Sequence, residues 1–361
     1  MNGVSALTIG TRLHEFEIRG VIATGGYGIV YLAHDHSLSR RVAIKEYLPA
    51  QLAERGAGRA VTVKAARLEA PFADGRSAFL HEARLLARFE HASLVKVYRY
   101  WEENATAYMA MPLLAGTTLA ARVRDRPLEP RELRGILEQL LDALAHLHAA
   151  GCIHRDVAPD NIMLLPDGRA VLLDFGAARR ELGADANAVA KPGYSPIEQC
   201  TPQARLAEGP WTDLYALAAV AYFTITRRAP QVATERIHAD RMLALASEGD
   251  PRLPVAMRAG LDRALALMPC DRPKSAAELR CALGWDVSPV ESLQAPRAAP
   301  RKPVVSLLAL ERWIALAMLA LVLALAAWLA QPPMGVSGTG VRGDLPAKCV
   351  ATLSTTSCAI A

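Results

Sequence analysis

The chain has 361 residues, 52% of them hydrophobic, and a formal net charge of +5. It is too long for one small domain and too short for three. Its basic residues are scattered rather than gathered in a stripe, so nucleic acid is not expected as a partner.

In chain order, the N-terminal stretch MNGVSALTIG has neither a basic region nor a long apolar run, and no cleaved signal is expected. Residues 16–100 alternate apolar and polar positions with β-branched side chains, the period of half-buried strands. One helix interrupts them, because Phe79, Leu80, Ala83, Leu85, Leu86 and Phe89 recur at helical spacing. Residues 130–150 read as an amphipathic helix closed by Gly151, and beyond about residue 211 the chain is mostly helical. A β-rich part followed by a helical part predicts an α+β, bilobal fold with its chemistry between the lobes. Prolines 289, 296, 300 and 303, set among alanine and serine, suit an extended linker.

From Trp313 to Ala330 the chain reads WIALAMLALVLALAAWLA, without a charge or an amide. At helical rise this run spans roughly 27 Å, close to the hydrocarbon thickness of a bilayer. Trp313 and Trp328 stand near its ends, where indole rings prefer the interface. Arg297, Arg301, Lys302 and Arg312 precede it and the next charge is Arg342, which places the N-terminal part in the cytoplasm. Cys152, Cys200, Cys270 and Cys281 then fall on the reducing side. Cys349 and Cys358 fall in the exported tail, as a disulfide or as two thiols.

The chemistry begins at Ala23-Thr24-Gly25-Gly26-Tyr27-Gly28-Ile29-Val30, a glycine-dense turn between strands that lets backbone amides approach a polyphosphate. Val42-Ala43-Ile44-Lys45 follows, and a lysine at the end of an apolar strand needs an anionic partner. Glu82, on the apolar-faced helix, is the candidate. Further on come His154-Arg155-Asp156-Val157-Ala158-Pro159-Asp160-Asn161 and, after a short strand, Asp174-Phe175-Gly176. Glycine loop, VAIK, HRD…N and DFG in this order form the protein-kinase signature set. Over about residues 16–284 the chain resembles protein kinases, and VAIKEYLP, VLLDFGAAR, GYSPIEQ and GPWTDLYALAA resemble the bacterial Ser/Thr branch.

The resemblance implies a protein kinase domain over 16–284, followed by a juxtamembrane linker over 285–312. A transmembrane helix over 313–330 and a short extracytoplasmic tail over 331–361 complete the expected organisation, a single-pass protein of the inner membrane. It further implies ATP as co-substrate and Mg²⁺ or Mn²⁺ as metal. Ala23, Thr24, Gly25, Gly26, Tyr27, Gly28, Val30 and Lys45 would hold the nucleotide. Ala43, Met111, Leu113 and Met163 would enclose its adenine, with Met111 at the gatekeeper position before the hinge. Lys45 would grip the α- and β-phosphates, oriented by Glu82; Asn161 and Asp174 would take the metal; Asp156 would accept the substrate hydroxyl's proton. Glu198 and Arg272 occupy the places of the family's buried ion pair, and Asp213 that of the aspartate anchoring the catalytic loop. Protein substrates and the membrane are the expected partners, with a homodimer open.

Several features depart from the family. Ala23 replaces the loop's first glycine, and the segment between Lys45 and Glu82 is long enough to form a surface insertion over the small lobe. Ala158 stands where Ser/Thr kinases carry a lysine facing the γ-phosphate, and Lys191 stands where they carry a threonine. Either Lys191 supplies the missing cation or it points into solvent. Residues 177–190 contain no Ser, Thr or Tyr, so the phosphorylated partner that Arg155 has in related kinases is absent from them. Glu181 or Asp185 is the expected permanent substitute. His146, His148, Cys152 and His154 match no zinc spacing and read as gap-filling side chains. Ala158 also leaves open a weakly catalytic scaffold. The SPIE segment, Asp213 and Arg272 speak against a small-molecule phosphotransferase, and a sensor receptor would need the exported tail stapled or assembled with a partner.

Overall fold

The computed structural model describes residues 6–56, 58–174, 190–201 and 206–285. The small lobe is a six-stranded antiparallel sheet built from β1 (Arg12–Leu13), β2 (Phe16–Gly25), β3 (Gly28–Asp35), β4 (Arg40–Tyr47), β7 (Arg99–Glu103) and β8 (Thr106–Pro112). Its order is β1-β2-β3-β4-β8-β7. Alternation in β3 puts Ile29, Tyr31 and Ala33 in the core. In β2 the register shifts between Ile18 and Gly20 and again between Val21 and Ala23. Phe16 and Ile18 are buried, whereas Val21 and Ile22 are exposed. The bulges thus carry the second half of β2 off the core. Helix α1 (Glu69–Leu86) lies against β7 and β8, burying Phe72, Phe79, Leu80, Ala83 and Leu86.

The large lobe holds α2 (Leu119–Asp125), α3 (Pro130–Ala149), α4 (Ile197–Cys200), α5 (Pro210–Thr226) and four further helices at Ala233–Arg236, Leu245–Glu248, Val255–Ala264 and Ala276–Ala282. Helix α3 buries Leu133, Ile136, Leu137, Leu140, Leu144 and Leu147, the stripe read from its periodicity. It closes as expected at Gly151, whose φ of 72° lets its N–H reach the carbonyl of His148. Helix α5 is apolar nearly all round and runs through the middle of the lobe, with Leu214, Tyr215, Leu217, Ala218, Ala219 and Val220 buried. A small sheet of β9 (Thr117–Thr118), β10 (Ile162–Leu164) and β11 (Ala170–Leu172), ordered β11-β10-β9, frames the loop that precedes β10. Val95 N–H donates to Leu172 O at 3.0 Å and Leu172 N–H to Ser93 O at 2.9 Å, which ties that sheet to the segment after α1.

The long segment between Lys45 and Glu82 is more firmly seated than a surface insertion. It forms a hairpin of β5 (Ala53–Arg55) and β6 (Val61–Val63) and leads directly into α1. The Arg55 guanidinium reaches inward to bond Glu46, and Tyr31 Oη donates to the other Glu46 oxygen at 2.7 Å. All three side chains are buried. A long loop of this kind would ordinarily keep its charges in water; here β4 carries a glutamate into the core, and the hairpin supplies its counter-charge.

Among the described residues no helix is long and apolar enough to cross a membrane. Residues 313–330, Cys349 and Cys358 lie outside the described residues, as do Glu181, Asp185, Phe175 and Gly176. Within them Cys152, Cys200, Cys270 and Cys281 are free.

Removing Arg55 leaves a buried, uncompensated carboxylate. Arg55→Ala is expected to lower unfolding free energy by roughly 3–5 kcal/mol, whereas Glu46→Gln with Arg55→Met recovers much of the loss. Urea denaturation of the three proteins checks this.

Candidate active site

The hairpin between β2 and β3 roofs a cavity of about 260 Å³ lined by Ala23, Thr24, Gly25, Gly26, Tyr27, Gly28, Val30, Lys45, Tyr47, Phe79, Glu82, Asp156 and Asp174. Eleven of these positions were named from sequence; Tyr47 and Phe79 were missed, because nothing in their local pattern separates a cavity wall from core. Glycine at Gly28 is required by a neighbour rather than by a ligand. A Cβ there would stand 1.9 Å from the carbonyl oxygen of Glu46 on β4, whereas one on Gly26 would meet nothing within 4 Å. The tip is held further by Leu48 N–H on Tyr27 O and Ala50 N–H on Gly26 O, both 3.2 Å.

Ala43, Met111, Leu113 and Met163 lie outside this lining. Ala43 and Met111 face one another across the β4–β8 ladder and are buried, and Met163 sits in β10 between Thr118 and Val171.

Lys45 reaches the cavity from within β4, which continues past it to Tyr47 rather than ending there as the sequence suggested. Its Nζ lies 2.8 Å from Asp174 Oδ1 and 3.9 Å from Glu82 Oε1. Burial works against its positive charge, but Asp174 and Glu82 outweigh burial and hold the ammonium above its ordinary pKa. Glu82 is fully buried on α1, so helix position fixes one carboxylate. Asp174 follows β11, and the N–H of the preceding Leu173 donates to Asn161 O at 2.8 Å.

Across the cavity, Asp156 and Asn161 form one unit. Asn161 Nδ2 donates to Asp156 Oδ2 at 2.6 Å and to Asp156 O at 3.0 Å. This leaves the amide oxygen of Asn161 as the atom suited to a cation. The oxygen-only set of Asp174 and Asn161 fits a hard divalent ion such as Mg²⁺. Asp156 N–H donates to His154 Nδ1 at 3.3 Å, and burial pushes the His154 imidazole down to about 4, so the ring is neutral near pH 7.

The loop carrying Asp156 is held from below. Asp213 on α5 accepts from His154 N–H and Arg155 N–H, each at 2.8 Å, and lies 2.8 Å from His148 Nε2. His148 is therefore part of this polar support rather than a gap filler. His146 packs against Phe89 and His91. These bonds hold Arg155 at φ 69°, a left-handed geometry that costs a non-glycine residue roughly 1–2 kcal/mol. Arg155 Nε donates to Glu208 Oε2 at 2.7 Å, while Glu181 and Asp185, the expected partners, lie outside the described residues.

Below the cavity, Arg272 Nη1 donates to Glu198 Oε1 at 2.7 Å with both side chains fully buried, as the sequence implied. Thr212 Oγ1 adds a bond to the same Glu198 oxygen at 2.9 Å, and Arg272 reaches Ala266 O and Leu267 O as well. Ala158 is buried, and Lys191 Nζ lies 3.5 Å from Asp160 Oδ2 on the same loop. The Lys191 side chain is only 18% exposed, so it turns toward the loop rather than into solvent.

A family model for the protein kinase domain matches residues 16–248. The chain is 30% identical over 294 residues to the serine/threonine-protein kinase PknE of Mycobacterium bovis, covering 78% of this chain and 48% of that one. It is 28% identical to the serine/threonine-protein kinase PknA of a Nostoc species, over 75% of this chain and 47% of that one. The chain thus spans about half the length of these curated relatives. The solved apo structure of PpkA-294 superposes with a TM-score of 0.72 at 41% identity, covering 77% of this chain and 99% of that one. The Mycobacterium tuberculosis PknI kinase domain shares the fold, with a TM-score of 0.59 at 23% identity, over 78% of this chain and 98% of that one.

The two Asp213 oxygens serve two peptide N–H groups, and asparagine offers only one oxygen. Asp213→Asn is expected to cost about 1–3 kcal/mol through an unpaired buried amide, with faster hydrogen exchange at His154 and Arg155. Unaltered exchange at both would refute the anchoring role.

Proposed function

The chain belongs to the protein kinase domain family, and from that premise we propose that it transfers the γ-phosphoryl group of ATP to serine or threonine hydroxyls of protein substrates. The observation that carries this reading is the convergence on one cavity of Lys45, paired with Asp174 and Glu82, and of Asp156, paired with Asn161. The transition state of phosphoryl transfer is loose and anionic, so catalysis is mainly positioning and charge stabilisation.

Lys45 grips the α- and β-phosphates, and Glu82 keeps its ammonium from swinging away. Asp174 and the Asn161 amide oxygen would hold a divalent ion, Mg²⁺ or Mn²⁺, which would supply neutralising charge to the phosphates. Asp174 lies 2.8 Å from Lys45 Nζ, so its carboxylate would divide between the lysine and the metal. Asp156 accepts the proton of the attacking hydroxyl, and the Asn161 amide orients the carboxylate for it. Adenine contacts fall to Val30, Ala43, Met111, Leu113 and Met163.

Lys191 supplies positive charge beside the transferring group in place of the lysine that Ala158 displaces. Its contact with Asp160, next to Asn161, supports this assignment. The scaffold reading rests on Ala158 alone and is weakened by that contact.

We read residues 313–330 as a single-pass anchor in the inner membrane, with the kinase domain cytoplasmic and the tail extracytoplasmic. Confinement to a plane raises the local concentration of copies, which favours a homodimer.

With Mg²⁺ and ATP, purified protein is expected to label itself or a generic protein acceptor. Asp156→Asn should lower kcat roughly 10²–10⁴-fold while nucleotide binding persists. Absence of Mg²⁺-dependent ATP binding to the wild type sinks the assignment. In the same assay Lys191→Ala is expected to lower kcat roughly 10²-fold; an unchanged kcat removes Lys191 from the mechanism. Membrane fractions should retain the full chain after carbonate washing and lose it when residues 313–330 are deleted.

A further inference from the structure

Three polar side chains stand close together in sequence, Glu208 just before α5 and Thr212 and Asp213 in its first turn, and each ties down a different part of the site. Asp213 takes the backbone of His154 and Arg155, Thr212 takes Glu198, and Glu208 takes the Arg155 side chain. The third is not required by the backbone of the loop, which Asp213 and Gln199 already hold; Gln199 Nε2 donates to Arg155 O at 3.2 Å. Glu208 is only 8% exposed, so its charge is largely withdrawn from water and needs a fixed partner. Arg155 is one residue from Asp156 and has a left-handed backbone, a geometry that persists only if its surroundings over-determine it.

We propose that Glu208 is a positioning residue for phosphoryl transfer. It is a built-in carboxylate that clamps Arg155 and so holds Asp156 in place, without any phosphate being added to the segment between Gly176 and Lys191. The proposal rests on the kinase reading above and adds a regulatory consequence to it. One way phosphorylation switches a protein is by supplying an anion to an arginine. Here the anion is carried by the chain itself, and the residues from 177 to 190 offer no hydroxyl to modify. The domain is therefore active as synthesised, and control of its output has to act elsewhere.

The experiment compares full-length wild type, Glu208→Gln, Arg155→Met and the double variant in detergent. Each is assayed for phosphoryl transfer to a protein acceptor, with ATP affinity and thermal unfolding measured in parallel. Glu208→Gln is expected to lower kcat by up to about 10²-fold, the scale of a misplaced catalytic group, with the KM for ATP unchanged. The double variant should be no slower than the slower single, because the two side chains act as one unit. Wild-type kcat in Glu208→Gln, or losses that multiply in the double variant, overturns the proposal. If Glu208→Gln does not fold, Glu208→Asp carries the test: it should stay closer to wild type than Arg155→Met does, and an equal loss overturns the clamp. Phosphatase treatment of the wild type should leave its rate intact; a rate that falls and returns on rephosphorylation also overturns it. A wild type without any transfer refutes the kinase reading itself, whereas an active wild type beside an equally active Glu208→Gln refutes only this inference.

Discussion

The ion pair between Lys45 and Asp174 is the contact on which the site depends. One partner lies within β4 of the small sheet and the other follows β11 of the large lobe, so this 2.8 Å contact joins the two. A lysine inside a cavity would lose its charge unless anions offset its desolvation. Two carboxylates do so, Asp174 in contact and Glu82 at 3.9 Å, each carried by a different element. Loop, helix and sheet must therefore reach their positions together for the ammonium to remain charged. A cationic centre flanked by oxygen donors is also what a polyphosphate with its metal requires.

Around this centre, buried polar groups do structural work by pairing across elements. Arg272 meets Glu198, Ala266 O and Leu267 O; Asp213 meets two amides and an imidazole. Such groups are expensive when half satisfied and rigid when fully satisfied. The large lobe uses them to fix two short segments, the loop carrying Asp156 and the single-turn helix α4 carrying Glu198. Both are fastened to α5 and its run-in, an apolar helix buried through the middle of the lobe.

Much of this was legible in the residues. Lys45, Glu82, Asp156, Asn161 and Asp174 could be named because their chemistry demands particular residue types at particular spacings, and α3 because its apolar stripe repeats every turn. Glu198, Arg272 and Asp213 followed from likeness, and the geometry gives each a partner. Glu208 was not legible: it lies 53 positions from Arg155 in an unpatterned segment, and only folding brings the two together. Tyr47 and Phe79 were lost for the opposite reason, since their apolar context resembles ordinary core. The hairpin at residues 53–63 escaped because its strands have three residues each, too few for a period to register. His148 was taken as filler because a histidine's partner cannot be read from its neighbours in sequence.

The seating of that hairpin has an evolutionary corollary. Glu46 lies in the sheet, Arg55 in the hairpin and Tyr31 in an adjoining strand, and each would be a liability in the core without the others. A lineage could not shed the hairpin by simple deletion, nor acquire it by simple insertion, without passing through a form with a stranded charge. The three residues are expected to be inherited as a block, and chimaeras between relatives should place their junctions outside it.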